Sequence, residues 1–275
     1  MIRVAAAGDL HVGPDSAQAV GEQLGAVAEK ADVLLIAGDL TKSGLTEEAA
    51  ALASQLRGLA VRVVAVLGNH DHHSDRPDEI ADLLREAGVT VLEGEGIRVD
   101  TPRGSVGVAG VKGFGGGFAG ASGAEFGEPE MKAFIRHTKE RAEALEAALS
   151  ELDTDVRIAL MHYAPIRETL QGEPPEIFPF LGSYLLAEAV DRAGADLAVH
   201  GHAHRGTEHG VTPGGVHVRN VAQTVIRQAY AVYAFERPGR DRASASVGAG
   251  GGRTTAPTHP SLGGWPTYPT REPTT

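Results

Sequence analysis

The chain has 275 residues, is 42% hydrophobic, contains no cysteine and carries a formal charge of −11. That composition suits a globular protein with one large core or two small ones, and no apolar run approaches the length a bilayer span needs. The acid excess argues against a protein that tracks a nucleic-acid backbone, and the missing thiols exclude disulfides and thiolate metal sites.

The amino terminus enters at once into a strand-like IRVAAAGDLH, without the basic segment, apolar run and small-residue cleavage site of a secretory leader, so the expected location is the cytoplasm. Apolar residues then recur at helical spacing in SAQAVGEQLGAVAEK, at Val20, Leu24 and Val27. The continuous apolar run ADVLLIAGDL follows, then a helical TEEAAALASQLRGL, a third strand VRVVAVLGNHD and a third helix, DEIADLLREAG. Continuous apolar strands separated by amphipathic helices indicate a mostly parallel sheet covered by helices. Asp15 or Ser16, Thr46, and Asp75 or Asp78 have the chemistry to start those helices.

The middle of the chain changes character. VTVLEGEGIRVDTPRGSVGVAGVKG reads as short strands joined by turns, and a glycine-rich loop spans 113–128. A long charged helix over about 130–149 comes next. Strand–helix alternation then resumes with VRIALMHY, GSYLLAEAVDRAG and ADLAVHGHAH, and VHVRNV and YAVYAFE are the last strands. From residue 237 the composition turns to Gly, Pro, Ser and Thr, which cannot bury enough apolar surface to offset ordering entropy. The expected organisation is a folded domain over 1–236 and a disordered tail over 237–275 with a GGWPTYP stretch.

Most of the chemistry lies where strands stop. The first ends in Asp9 and His11, the second in Asp39, the third in Asn69, His70 and Asp71. Two later strands end in His162 and in His200, His202 and His204. In a parallel sheet those ends share one edge, where sites in such folds form. The pairs Asp9/His11 and His202/His204 are two residues apart, and on extended backbone such residues point the same way. Glycines precede Asp9, Asp39, Asn69 and His202, which allows close backbone approach. Carboxylate, imidazole and amide oxygen without thiolate suit manganese, iron or zinc.

The set Asp9-Leu10-His11, Gly38-Asp39, Gly68-Asn69-His70-Asp71, His162 and Gly201-His202-Ala203-His204 resembles the motifs of the calcineurin-like metallophosphoesterases, and the resemblance spans roughly residues 3–236. Met161 stands where relatives often carry glycine. The resemblance implies an α/β fold, a four-layer αββα sandwich of two mixed β-sheets flanked by helices. It implies one divalent metal ion on Asp9, His11, Asp39 and His204, and a second on Asp39, Asn69, His162 and His202, with Asp39 bridging. The expected activity is a metal-dependent phosphoric ester hydrolase acting on a phosphodiester through a metal-bridging hydroxide. Phosphomonoesterase and nucleotide pyrophosphatase are the alternatives, with a scaffold or a nuclease further away. The partner is a small phosphate-ester substrate, with no membrane. His70 is expected to be the catalytic proton donor, held in its tautomer by Asp71.

The remaining candidates read more plainly. His72 and His73 look like solvated loop residues, and His200 has no evident partner. His137 is expected to be exposed on its charged helix, and Arg167 to contact a phosphate or a surface carboxylate. The GGGFAG stretch in the glycine-rich loop matches a dinucleotide fingerprint only superficially and reads as a wall over the metal site.

Overall fold

The computed structural model describes residues 1–236; the expected tail over 237–275 lies outside the described residues. The first sheet has five strands. Ile2–Ala7, Val33–Ala37, Arg62–Val66 and Thr90–Val91 run parallel, and Ala231–Phe235 closes the other edge antiparallel to Ile2–Ala7. The second has six. Glu95–Thr101 and Gly104–Val111 form an antiparallel hairpin, beside which Val156–Met161, Leu197–His200 and His217–Asn220 run parallel. His209–Val211, which the sequence pattern had not indicated, forms the far edge of that sheet, antiparallel to His217–Asn220.

The central strands are almost wholly apolar because both faces are covered, whereas the edge strand Glu95–Thr101 exposes Glu95, Arg98 and Asp100. Ala5, Ala7, Leu34, Ile36, Val63 and Ala65 face the helices Ala17–Leu24, Thr46–Leu56 and Pro77–Glu86. Their alternates Val4, Ala6, Val33, Leu35, Val64 and Val66 meet Val106, Val108, Val156, Ile158 and Leu160 of the second sheet. The outer face of that sheet, with Ala109, Ala159 and Ala198, packs on the helices Pro129–Ser150 and Tyr184–Ala193. Helices, sheet, sheet and helices make the four layers. Among the described residues no helix is long and apolar enough to cross a membrane.

Local details follow residue chemistry. Ser183 caps the helix Tyr184–Ala193 by accepting from the Leu185 amide, and Gly194 ends it in a left-handed conformation. The first expected helix is broken into Ala17–Leu24 and Val27–Lys30 around Gly25 and Ala26, where glycine weakens the helix. Ser16 precedes Ala17–Leu24 as expected, but two other helix starts differ. Leu45 precedes Thr46–Leu56, with the Glu48 carboxylate accepting from the Leu45 amide, and Arg76 precedes Pro77–Glu86. Asp75 lies outside that helix with φ +57°.

Candidate metal centre

Each of the five strands that end in metal-competent residues does so at its carboxyl end, but they belong to two sheets. Ile2–Ala7, Val33–Ala37 and Arg62–Val66 are in the first; Val156–Met161 and Leu197–His200 are in the second. The side chains therefore meet where the carboxyl edges of two stacked sheets come together, instead of along one edge. Contacts across the seam hold them. The His202 amide donates to the Asp9 carboxylate at 3.0 Å, and the His162 ring lies 2.9 Å from the Ala37 carbonyl through Nδ1.

The backbone geometry corrects the extended-spacing expectation. Asp9, His11, Asp39 and His202 have φ of 58°, 44°, 50° and 69°, a left-handed region that non-glycine residues rarely occupy. Each such residue costs about 1–3 kcal/mol and persists only where its surroundings enforce it. Here the loops after the first two strands run side by side, with the Asp9 amide donating to the Gly38 carbonyl and the His11 amide to the Asp39 carbonyl. Three of the preceding glycines are required by close approach, and a Cβ on Gly38 would lie 2.5 Å from His162 Nδ1. A Cβ on Gly68 would lie 2.1 Å from Asp39 Oδ1, and one on Gly201 2.3 Å from Asp9 Oδ2.

Two groups of donor atoms result. Asp9, His11, Asp39 and His204 offer atoms that all lie within 4.8 Å of one another, as do Asp39, His162 and His202. Asp39 is common to both. Asn69 belongs beside the second, its Oδ1 2.9 Å from His162 Nε2. Asp39 and His162 are shut from solvent, whereas His11, His70 and His204 are partly open. They border a cleft of about 860 Å³ that also takes in Lys42, Ser43 and Glu48.

The donor set fits a cation. His162 Nδ1 must carry its proton to bond the Ala37 carbonyl, so Nε2 presents a lone pair unless the ring is charged. Burial holds the His162 imidazolium well below the ordinary histidine range. Yet that Nε2 lies 3.3 Å from Asp39 Oδ1. A lone pair aimed at a carboxylate oxygen is repulsive, and a cation between them removes the repulsion. Burial also pushes the His202 imidazole down to about 3, leaving it neutral and ligand-ready. At the first group, burial and the neighbouring Asp39 raise Asp9 to about 6. The hydrogen bond that His204 donates to Asp9 raises the histidine, whose Nε2 lies 2.8 Å from Asp9 Oδ1. Protons there partly supply the positive charge that a metal would replace.

His70 and Asp71 depart from the expected pairing. The His70 amide donates to Asp39 Oδ1 at 2.8 Å, and ring Nδ1 lies 2.7 Å from the Lys42 carbonyl, leaving Nε2 towards the cleft, 4.0 Å from Asp39 Oδ2. That carbonyl, and not Asp71, orients the ring. The fully buried Asp71 carboxylate accepts from the Leu40, Thr41 and Gly68 amides and the Thr41 hydroxyl. It ties the loop after Asp39 to the loop before Asn69. Burial raises its carboxyl to about 6, with the Thr41 and Gly68 donors opposing the rise.

Other candidates are placed as follows. His200 is fully buried and does have a partner: Nε2 lies 2.8 Å from Thr169 Oγ1, and Nδ1 2.7 Å from the Gly201 carbonyl. His137 is half-buried, against expectation, because its ring meets Phe114 edge-on at 4.9 Å. His72 is half-buried in the short turn His70–His72, and His73 is exposed. Arg167 lies over the Phe178 ring at 5.7 Å, with no carboxylate in ion-pair range among the described residues. The glycine-rich loop folds into a small hairpin, Gly117–Phe118 against Ala121–Ser122. Sequence reasoning passed over Lys112 and Tyr163. Each had a signal: Lys112 ends an apolar strand as the ligands do, and Tyr163 follows His162 directly.

A layered fold with a shared aspartate between two donor groups defines a class of dinuclear-metal hydrolases. Residues 2–206 match the family described as calcineurin-like phosphoesterase, and the chain belongs to that family. No curated protein matches the chain significantly. Among solved structures it is similar to phosphopantetheinyl hydrolase (PptH) from Mycobacterium tuberculosis, at 20% identity and a TM-score of 0.64, covering 86% of this chain and 98% of that one. It is also similar to the protein TT1561 of Thermus thermophilus, at 19% identity and a TM-score of 0.53, covering 80% of this chain and 88% of that one. A putative 5'-nucleotidase from Staphylococcus aureus gives 18% identity and a TM-score of 0.51, covering 80% of this chain and 48% of that one. At these identities the likeness is one of fold.

Proposed function

We propose that the chain hydrolyses a phosphate ester, a phosphodiester by first preference, at a centre of two divalent cations. Asp9, His11, Asp39 and His204 would hold one cation, and Asp39, Asn69, His162 and His202 the other. Bound there, the cations supply Lewis-acid activation of water and neutralise charge on the phosphoryl oxygens. The observation that carries the reading is the convergence of the His162 lone pair on the Asp39 carboxylate in a solvent-free pocket, an arrangement that fits a cation and little else.

The chain's own groups do the rest. The Ala37 carbonyl keeps the His162 proton on Nδ1, fixing Nε2 as donor. The Lys42 carbonyl likewise holds a proton on His70 Nδ1, so a proton given to the leaving oxygen comes from Nε2 of the doubly protonated ring, on the open side of the site. The amides of His70 and His202 fix the carboxylates of Asp39 and Asp9, limiting their reorganisation as charge develops. An acidic protein thus presents one locally cationic spot to an anionic substrate.

The test is hydrolysis of bis(p-nitrophenyl) phosphate and p-nitrophenyl phosphate by protein loaded separately with manganese, iron, zinc or magnesium. Faster turnover of the diester is expected. Activity on the monoester alone would reassign the substrate, and no hydrolysis with any metal would leave a binding scaffold.

A further inference from the structure

The strand Gly104–Val111 runs parallel to Val156–Met161, with Val111 paired to Met161, so Lys112 leaves its strand beside His162. The Lys112 carbonyl accepts from the amides of both His162 and Tyr163 at 3.0 Å. Lys112 therefore sits at the same sheet edge as the second donor group, held by the backbone that holds a ligand.

Its side chain is poorly matched to a structural role. Lys112 is 7% exposed, yet its ammonium has no hydrogen bond and no carboxylate within ion-pair distance among the described residues. The nearby Glu93 carboxylate is already engaged, one oxygen by the Lys112 amide and the other by Arg141. What meets the ammonium is aromatic: it lies 5.0 Å from the centre of Phe114 and 5.3 Å from that of Tyr163. The ammonium keeps some contact with water, since it is not among the buried side-chain nitrogens left without a partner, and the ring faces offset part of what burial costs the rest of the side chain. Burial accordingly lowers the Lys112 pKa.

The ammonium also lies near the site, through Tyr163. The Tyr163 ring beneath it lies 4.4 Å from the His202 ring at a tilt of 41°, and the Tyr163 hydroxyl likewise has no hydrogen-bond partner among the described residues. Two unpartnered polar tips, one of them cationic, thus stand within two ring contacts of a cation ligand. An anion held there would complete the Lys112 coordination and accept from the Tyr163 hydroxyl.

We infer that Lys112, seated on Phe114 and Tyr163, anchors a second anion subsite next to the His162–His202 side of the centre, so that the favoured substrates carry a further phosphate or carboxylate besides the ester attacked. This rests on the phosphoesterase reading and narrows its substrate class to esters that carry a second anionic group. Lys112 acts as a specificity-determining residue and takes no part in proton transfer.

The test is calorimetric binding to the manganese-loaded full chain, using inorganic phosphate, glycerol 3-phosphate, 3-phosphoglycerate and 2,3-bisphosphoglycerate. The two ligands with an added anion should bind about tenfold to a hundredfold tighter than glycerol 3-phosphate, as expected for one charge-assisted hydrogen bond. Lys112→Met should erase that gain and leave glycerol 3-phosphate within about twofold of wild type, while Lys112→Arg keeps most of it. A structural role would lower the thermal midpoint and weaken all four ligands together. Equal binding by the wild type of ligands with one anionic group and ligands with two overturns the subsite even if Lys112→Met fails to fold. If inorganic phosphate itself fails to bind, the phosphoesterase reading falls first and takes the subsite with it.

Discussion

Asp71→Asn separates two roles that the sequence cannot distinguish. In the fold, one Asp71 oxygen accepts from the Thr41 amide at 2.8 Å and the Thr41 hydroxyl at 2.6 Å; the other accepts from the Leu40 amide at 3.1 Å and the Gly68 amide at 2.8 Å. Asparagine is nearly isosteric but replaces one oxygen with a donor. If the new NH₂ faces Thr41, the hydroxyl can rotate to accept and one buried amide loses its partner. If it faces Leu40 and Gly68, two amides lose theirs. At about 1–3 kcal/mol per buried unsatisfied donor, the loss is about 1–3 kcal/mol in the first orientation and about 2–6 kcal/mol in the second, a large share of a typical 5–15 kcal/mol total. Because Leu40 follows Asp39 and Gly68 precedes Asn69, the same change should loosen both donor groups. Urea unfolding of the manganese-loaded and chelated forms, together with metal content after gel filtration, measures both effects. Wild-type stability and full metal content with turnover reduced by orders of magnitude would refute this reasoning and return Asp71 to the task of orienting His70.

His70→Ala should lower kcat about 10²–10⁴-fold with two metal ions retained, since the ring is aimed at the cleft by a carbonyl and is not among the donor groups; metal loss in step with turnover, read by elemental analysis, would show a ligand instead. Gly201→Ala should displace Asp9, because the added methyl would lie 2.3 Å from its carboxylate oxygen, and metal content should fall towards one ion per chain. His200 is held neutral with its pKa depressed to about 4 by burial, so between pH 6.5 and about 4 the unfolded chain binds a proton that the folded chain refuses. Stability then falls as pH falls through that window, by up to about 2 kcal/mol at pH 5. Denaturation of wild type and His200→Asn at pH 7 and pH 5 should show the mutant with the shallower pH dependence, the ligand titrations being common to both.

The amino-acid sequence determined by itself which residues could form the centre and that both faces of the central strands are buried. Metal-competent side chains recur at strand ends with too regular a pattern for loops, and a continuous apolar strand has no solvent face whatever its neighbours. The long charged helix was legible for a similar reason: it appears as Pro129–Ser150 because its apolar spacing persists through many turns. Only the tertiary structure decided how those ends meet. The left-handed turns at Asp9, Asp39 and His202 arise from hydrogen bonds between loops distant in sequence, such as His202 to Asp9, which no local preference encodes. Adjacency in sequence misled at Asp71, which turns away from His70 towards amides some thirty residues back, because a buried carboxylate goes where donors converge. Lys112 went unread for the complementary reason. Lysine ligates no cation at neutral pH, and only the packing of its strand beside His162 gives its charge a place at the site.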